Sequence, residues 1–276
     1  MRLEFTKMHG LGNDFVVIDA WAGQPVPSVA RIREIADRHF GVGCDQVLVI
    51  DPPPGPQADI GYRIFNADGS RAGQCGNGIR CVARFLVDRG RLRGQGLRAD
   101  TGERILTAFV EADGEVRVDM GRPRFAPAEV PMRACSQAPE YEIEALGARY
   151  RFGAASMGNP HAVLVVPDVD TAPVATLGPV IEHHPMFPER ANVGFLQVQD
   201  RTRVRLRVFE RGAGETLACG TGACAAVAVG RVQGRLDPQV EVHVPGGRLR
   251  IRWEGGEAPV WMTGPAAYVF EGVIEA

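Results

Sequence analysis

Lysine is almost absent: Lys7 is the only one among 31 basic residues in a chain of 276. Pyridoxal phosphate enzymes hold their cofactor on a lysine, so Lys7 would be the sole candidate for that chemistry. A Walker A loop needs Gly-Lys-Ser/Thr. Lys7 is followed by Met8, so P-loop chemistry is excluded. The six cysteines, Cys44, Cys75, Cys81, Cys135, Cys219 and Cys224, include no C-x-x-C pair. Zinc ribbons and thioredoxin-like motifs therefore lack their signature. The histidines His9, His39, His161, His183, His184 and His243 form no H-E-x-x-H or other helical ligand pair, and no metal site is expected. His183 and His184 lie in a Pro-rich stretch that reads as a solvated loop.

An excess of one charge is also missing. The net charge is −2, and no arginine cluster stands out against the acidic residues. That disfavours a nucleic-acid groove or an anionic membrane surface. Long apolar runs are absent. Uncharged stretches such as Thr216 to Gly230 are too short and too interrupted by glycine to span a bilayer. The opening Met1 to Phe15 has no apolar run fit for a signal peptide. A cytoplasmic location is expected. Hydrophobic residues make up 45% and charged residues 23%, which excludes disorder and fibre and suits a large globular core.

The pattern predicts an α+β protein with many short strands and few helices. Strands are expected at Phe15–Ala20, Gln46–Asp51, Tyr62–Phe65, Arg104–Val110, Glu115–Met120, Ala162–Val166, Val193–Val198, Arg203–Phe209, Val240–Val244, Arg248–Trp253 and Val260–Thr263. Helices are expected over Val29–Phe40, with Ser28 as N-cap, over Asn77–Arg89, and from Thr221 to before Gly234. The body of the last, Ala223–Val229, is apolar on every face and must be surrounded by protein.

The chain also repeats itself. Gly73-Gln-Cys-Gly-Asn-Gly-Ile-Arg-Cys and Leu217-Ala-Cys-Gly-Thr-Gly-Ala-Cys both place C-G-[NT]-G before an apolar helix, about half the chain apart. Each follows a strand and a polar turn. A duplicated fold with a pseudo-twofold axis is expected, with the Pro-rich stretch Arg122–Pro139 as linker. Two lobes follow: residues 1–121, with 264–276 packing back on them, and residues 122–263.

A cysteine before Gly-x-Gly at a helix start meets orphan N–H groups and a positive dipole end, both of which favour thiolate. The glycines let a substrate carboxylate approach the backbone. Two such units facing one cleft could invert a carbon: one thiolate removes a proton and the opposite thiol returns one to the other face. No cofactor is needed. Cys44, Cys81, Cys135 and Cys224 read as small buried hydrophobes. Asp14 and Asp68 read as turn or cap residues.

At these residues the chain resembles the diaminopimelate epimerase family. The opening Lys7-Met-His-Gly-Leu-Gly-Asn-Asp-Phe, the segment from Asn66-Ala-Asp-Gly-Ser to Cys81, Met157-Gly-Asn-Pro-His161, Phe187-Pro-Glu-Arg-Ala-Asn192-Val and Glu210-Arg-Gly-Ala-Gly-Glu-Thr-Leu-Ala-Cys219-Gly-Thr-Gly match in order. The likeness runs from residue 5 to about residue 272. It implies a pyridoxal-independent epimerase that interconverts LL- and meso-diaminopimelate. It implies two lobes, each a mostly antiparallel sheet wrapped around a central helix, in a homodimer. It implies Cys75 and Cys219 as acid and base, with His161 and Glu210 closest to them in role. It implies substrate binding by Asn13, Gln46, Asn66, Gly76, Asn77, Asn159, Asn192, Glu210, Arg211, Gly220 and Thr221. Departures from the family pattern are Gln74 before Cys75, Cys44 before Asp45, and Phe270 where some members carry a tyrosine at the dimer contact.

Two other readings stay open. A proline or hydroxyproline racemase would share the paired thiols but should lack polar groups for a second amino acid end. A non-enzymatic thiol switch would join Cys75 to Cys219 reversibly.

Overall fold

The computed structural model describes residues 2–73, 75–92, 94 and 96–275. Gln74 lies outside them. In chain order the first elements are β1 (Arg2–Gly10), β2 (Asn13–Asp19), α1 (Val29–Ala36), β3 (Gln46–Asp51), β4 (Ile60–Asn66), β5 (Arg71–Ala72), α2 (Gly76–Asp88), β6 (Gly96–Asp100), β7 (Ile105–Val110) and β8 (Val116–Asp119). There follow β9 (Tyr141–Ala145), β10 (Ala148–Ser156), β11 (Pro160–Val165), α3 (Val174–Glu182), β12 (Asn192–Asp200), β13 (Arg203–Glu210), β14 (Gly214–Thr216), α4 (Gly220–Val232), β15 (Gln239–Val244), β16 (Gly247–Arg252), β17 (Trp261–Gly264) and β18 (Ala267–Glu275). The chain divides into two compact units, Met1–Asp119 with Thr263–Ala276, and Met120–Met262. The fold is α+β.

In the first unit β18 and β1 are antiparallel, as are β1 and β2. β2 then runs parallel to β3, β3 antiparallel to β4, β4 parallel to β6 and β6 antiparallel to β7. The second unit repeats this pairing order from β9 to β16. β9–β10 and β10–β11 are antiparallel and β11–β12 parallel. β12–β13 is antiparallel, β13–β15 parallel and β15–β16 antiparallel. One helix sits at the same place in each repeat, since α1 joins β2 to β3 and α3 joins β11 to β12. α2 packs against β1, β2, β3, β6, β7 and β8, and α4 against β10, β11, β12, β13 and β16. Each sheet thus wraps around its own helix. That is why Ala223–Val229 can be apolar all round: every one of these residues is buried.

Several local expectations need correction. α1 stops at Ala36 rather than Phe40. The Asp37 carboxylate accepts the His39 and Phe40 N–H groups, each at 2.7 Å, and this local turn competes with further helix. Phe40 is left 96% exposed. The Arg122–Pro139 stretch is not a free linker: Val130 and Met132 are buried in the core of the second unit, with Phe152, Phe187 and Phe195. Cys135 is exposed, not buried. His183 and His184 do lie in a loop, but the pattern does not predict the helix that precedes them, α3, with Gly178 and Pro179 within it. Burial of Val174, Leu177 and Ile181 overrides the poor propensity. Among the described residues no helix is long and apolar enough to cross a membrane.

Candidate functional site

Each C-G-x-G cysteine is the N-cap of its unit's wrapped helix, in extended backbone: Cys75 for α2 and Cys219 for α4. Their surroundings differ. The half-buried Cys75 sulfur accepts the Gly78 N–H at 3.3 Å, as an N-cap side chain should. The Cys75 thiol also donates to Asn13 Oδ1 at 3.9 Å.

Asn13 is held from behind. Its Nδ2 donates to Asp45 Oδ2 at 2.8 Å. An ionised carboxylate only accepts, so the amide carbonyl must face Cys75 and the Asn77 Nδ2, which lies 3.2 Å away. Asp45 is braced in turn by Arg38 at 2.7 Å. Arg38 also pairs with Asp14, as does Lys7, the latter at 2.6 Å. Burial alone would raise the Asp14 carboxyl, but the hydrogen bonds from Arg38 and Lys7 prevail and bring it to about 2. The one lysine is therefore a buried counter-ion behind Asn13, and Asp14 is more than a turn residue. Asp68, in contrast, does cap its turn, accepting from the Ser70 N–H at 2.8 Å.

Gln46 and Asn66 are cross-strand partners. Gln46 Nε2 donates to Asn66 Oδ1 at 2.9 Å, and Asn66 Nδ2 donates to Ser70 Oγ at 3.0 Å. Gln46 Oε1 is left buried with no partner among the described residues. Gly76 and Asn77 open α2. Two turns into that sheet-wrapped helix, Cys81 is completely buried, and burial pushes its thiol up to about 12. Burial likewise raises the Cys44 thiol, to about 11, despite the nearby Lys7. Both fit inert packing residues.

In the second unit Cys219 is 4% exposed. Its sulfur lies 3.6 Å from Thr221 Oγ1 and makes no side-chain cap bond. The Gly222 amide at the helix start still favours thiolate, but it is the least of the influences on this sulfur. Burial, then the Glu210 carboxylate, push the Cys219 thiol well above its ordinary range, outweighing Thr221. Glu210 itself accepts the Thr216 hydroxyl. Asn159 Nδ2 donates to Thr221 Oγ1 at 3.3 Å, and Asn159 Oδ1 lies 3.0 Å from His161 Nε2. A network thus runs from His161 through Asn159 and Thr221 to Cys219, with Gly220 at the first turn of α4.

His161 is 1% exposed. Burial, helped by repulsion from Arg211, brings its imidazole down to about 3, so it is neutral at physiological pH. It pairs in register with Asn192 on the neighbouring parallel strand. Asn192 Nδ2 donates to the Pro160 carbonyl at 3.0 Å, and its Oδ1 accepts the Arg211 N–H at 3.0 Å. Arg211 Nη1 donates to the Glu189 carbonyl at 3.0 Å.

Of the residues expected from the sequence, Asn13 and Asn77 lie about Cys75, and Glu210, Thr221, Asn159 and His161 form a network about Cys219; Asn192 and Arg211 adjoin that network, and Gln46 and Asn66 bond to each other. Sequence reasoning missed the groups behind them: Lys7, Arg38 and Asp45 in the first unit, and Glu182 in the second. The single lysine was the one available signal.

Comparison with known proteins identifies the family. The sequence profile of the diaminopimelate epimerase family matches residues 5–126 and 153–269. A diaminopimelate epimerase of Alkalilimnicola ehrlichii is 60% identical over 277 residues, covering 99% of each chain. One of Nitrosomonas europaea is 56% identical over 275 residues, covering 100% of each. Among solved structures, a hydroxyproline epimerase from Agrobacterium vitis superposes with a TM-score of 0.72 at 17% identity, over 99% of this chain and 92% of that one. A PhzF-family phenazine biosynthesis protein from Bacillus anthracis does so with a TM-score of 0.69 at 19% identity, over 100% of both. At such identities the two structures speak for the fold alone. The sequence matches extend through both cysteine-capped helices and over the whole length, and on them the chain belongs to the diaminopimelate epimerase family.

Proposed function

We propose that the chain interconverts LL- and meso-diaminopimelate by proton transfer through Cys75 and Cys219, with no cofactor, in the supply of lysine and peptidoglycan precursors. The observation that carries this is the placement of both thiols as N-caps of the wrapped helix in two units of matching topology. Such a repeat supplies one acid and one base of the same kind, as stereoinversion requires.

In this reading the thiolate of one cysteine takes the α-proton, leaving a carbanion conjugated with the substrate carboxylate. The thiol of the other gives its proton to the opposite face, and the two protonation states are exchanged. In each unit the helix-start N–H groups, those of Gly76 and Asn77 and those of Gly220 and Thr221, suit a substrate carboxylate, whose developing charge they stabilise without reorganisation. Asn66, Asn159, Asn192 and Arg211 hold the amino acid end that does not react, and Asn13 and Gln46 complete the binding set. His161, neutral and bonded to Asn159, and Glu210, beside the Cys219 sulfur, order the acid–base groups. The raised Cys219 thiol suits the proton donor in this resting form.

The two compact units serve as the two lobes, with the returning C-terminal strand part of the first. The enzyme works as a cytoplasmic homodimer. Support for the dimer comes from β18, which exposes Tyr268, Val269, Phe270 and Val273 by 40 to 56%, an apolar stripe of the kind that marks interfaces. Sedimentation should give twice the chain mass for the wild type and a shift toward monomer for Phe270→Glu. A wild type that sediments as monomer at micromolar concentration would remove the dimer.

The test of function is proton NMR of LL-diaminopimelate in D₂O with reduced protein. Deuterium should enter at one α-carbon as meso product appears. Exchange with proline instead would overturn the substrate and keep the two thiols. No exchange with any amino acid would leave the thiol switch.

A further inference from the structure

We infer that Glu182 is a positioning residue for the proposed reaction, setting the turn that carries Glu210 and Arg211; this deepens the proposed function and rests on it. Glu182 is the last residue of α3 and its side chain is 4% exposed. Both facts run against a carboxylate. A helix C-terminus repels negative charge, and a buried carboxylate is costly unless it is bonded. The cations nearby are loosely placed: Arg190 Nη1 is 3.8 Å away and His183 Nδ1 3.5 Å. The short contact is to a backbone amide, where Glu182 Oε1 accepts the Gly212 N–H at 2.8 Å.

Gly212 has φ +75°, in the left-handed region, so this turn needs outside support to keep one shape. One bond closes it from within and two support it from outside. Ala213 N–H closes on the Glu210 carbonyl at 3.1 Å. Asn192 takes the Arg211 N–H and Glu182 takes the next one. Glu182 also acts on Asn192, because its own carbonyl accepts the Ala191 N–H at 3.3 Å. One residue therefore ties together the two segments that carry Asn192, Glu210 and Arg211.

The approach of α3 is itself specified. A Cβ at Gly178 would lie 2.6 Å from the Phe209 ring. Only glycine lets the helix lie this close to the residue before Glu210, and one turn later Glu182 reaches Gly212. Through Glu210, which faces the Cys219 sulfur, the brace bears on the acid–base group.

The experiment compares full-length wild type, Glu182→Ala and Glu182→Gln by steady-state epimerisation of LL-diaminopimelate, thermal melting and amide hydrogen exchange of residues 210–216. Glu182→Ala is expected to lower kcat/KM by roughly tenfold or more, with faster exchange in that turn. Glu182→Gln keeps a carbonyl for Gly212 and should recover most of both. A folded Glu182→Ala with wild-type kcat/KM and exchange would overturn the proposal. So would a Glu182→Gln that melts like the wild type yet loses as much activity as alanine. Should Glu182→Ala fail to fold, Glu182→Gln alone decides: wild-type melting with a roughly tenfold or greater loss of kcat/KM would overturn the proposal, and near-wild-type kcat/KM and exchange would support it. Should the wild type not turn over diaminopimelate, the proposed function falls; faster exchange of residues 210–216 in Glu182→Ala would still support the brace, and unchanged exchange would overturn it.

Discussion

Replacing either Cys75 or Cys219 with alanine is expected to reduce epimerisation by on the order of a thousandfold or more, because each step loses a positioned acid or base. The two variants should also differ from each other. Cys75→Ala leaves only the thiol that burial and Glu210 hold protonated, so α-proton exchange with solvent should fall along with inversion. Cys219→Ala leaves the half-buried thiol that accepts a helix N–H. That sulfur can remove an α-proton and return solvent deuterium to the same face. Slow deuterium uptake without epimer is the expected NMR result for Cys219→Ala. Near-normal epimerisation by either variant would end the two-thiol mechanism.

The second large effect is on acid stability, through His161. Its folded-state value of about 3 lies below the unfolded value of 6.5. The unfolded chain therefore binds the proton more readily. Stability from this residue is complete above about pH 6.5 and is lost as pH falls toward 3. By linkage the loss between pH 7 and pH 3 is on the order of 4 kcal/mol, a large fraction of an ordinary domain's stability. The Asp14 carboxyl, lowered from 3.8 to about 2, works in a lower window and adds its loss only below about pH 4. Urea midpoints should drop between pH 6.5 and 4 for the wild type, and the slope should be much shallower for His161→Gln. Parallel curves would show that His161 does not control this limb. The comparison rests on slopes, so it survives a uniformly less stable variant.

Much of this molecule is legible in the chain because it is encoded locally. Gln46–Asp51 forms as the pattern predicts, and Arg203–Phe209, with its strict alternation, extends one residue further to Glu210. Ser28 caps α1, accepting from the Arg31 N–H at 3.2 Å. The repeated C-G-x-G marks both wrapped helices to within one residue at the start. Motif residues and turn chemistry lie close together in sequence, so their local structure can be read without the fold. The missed elements are those whose stability comes from distant partners. β1 and β18 pair across almost the full length of the chain. α3 contains Gly178 and Pro179, poor helix formers that hydrophobic packing overrides.

The sequence by itself determined the chemistry on offer: two thiols at helix starts, polar residues around them, and a duplicated frame to carry them. Only the tertiary structure decided how the two thiols differ. A half-buried sulfur bonded to a helix N–H and a fully desolvated one beside a carboxylate have the same local motif, since burial and the approach of Glu210 come from other strands. The same holds for Lys7 behind Asn13 and for Glu182 beneath the Glu210 turn. Electrostatic environment depends on distances in space, and a chain fixes those only once its distant segments have packed.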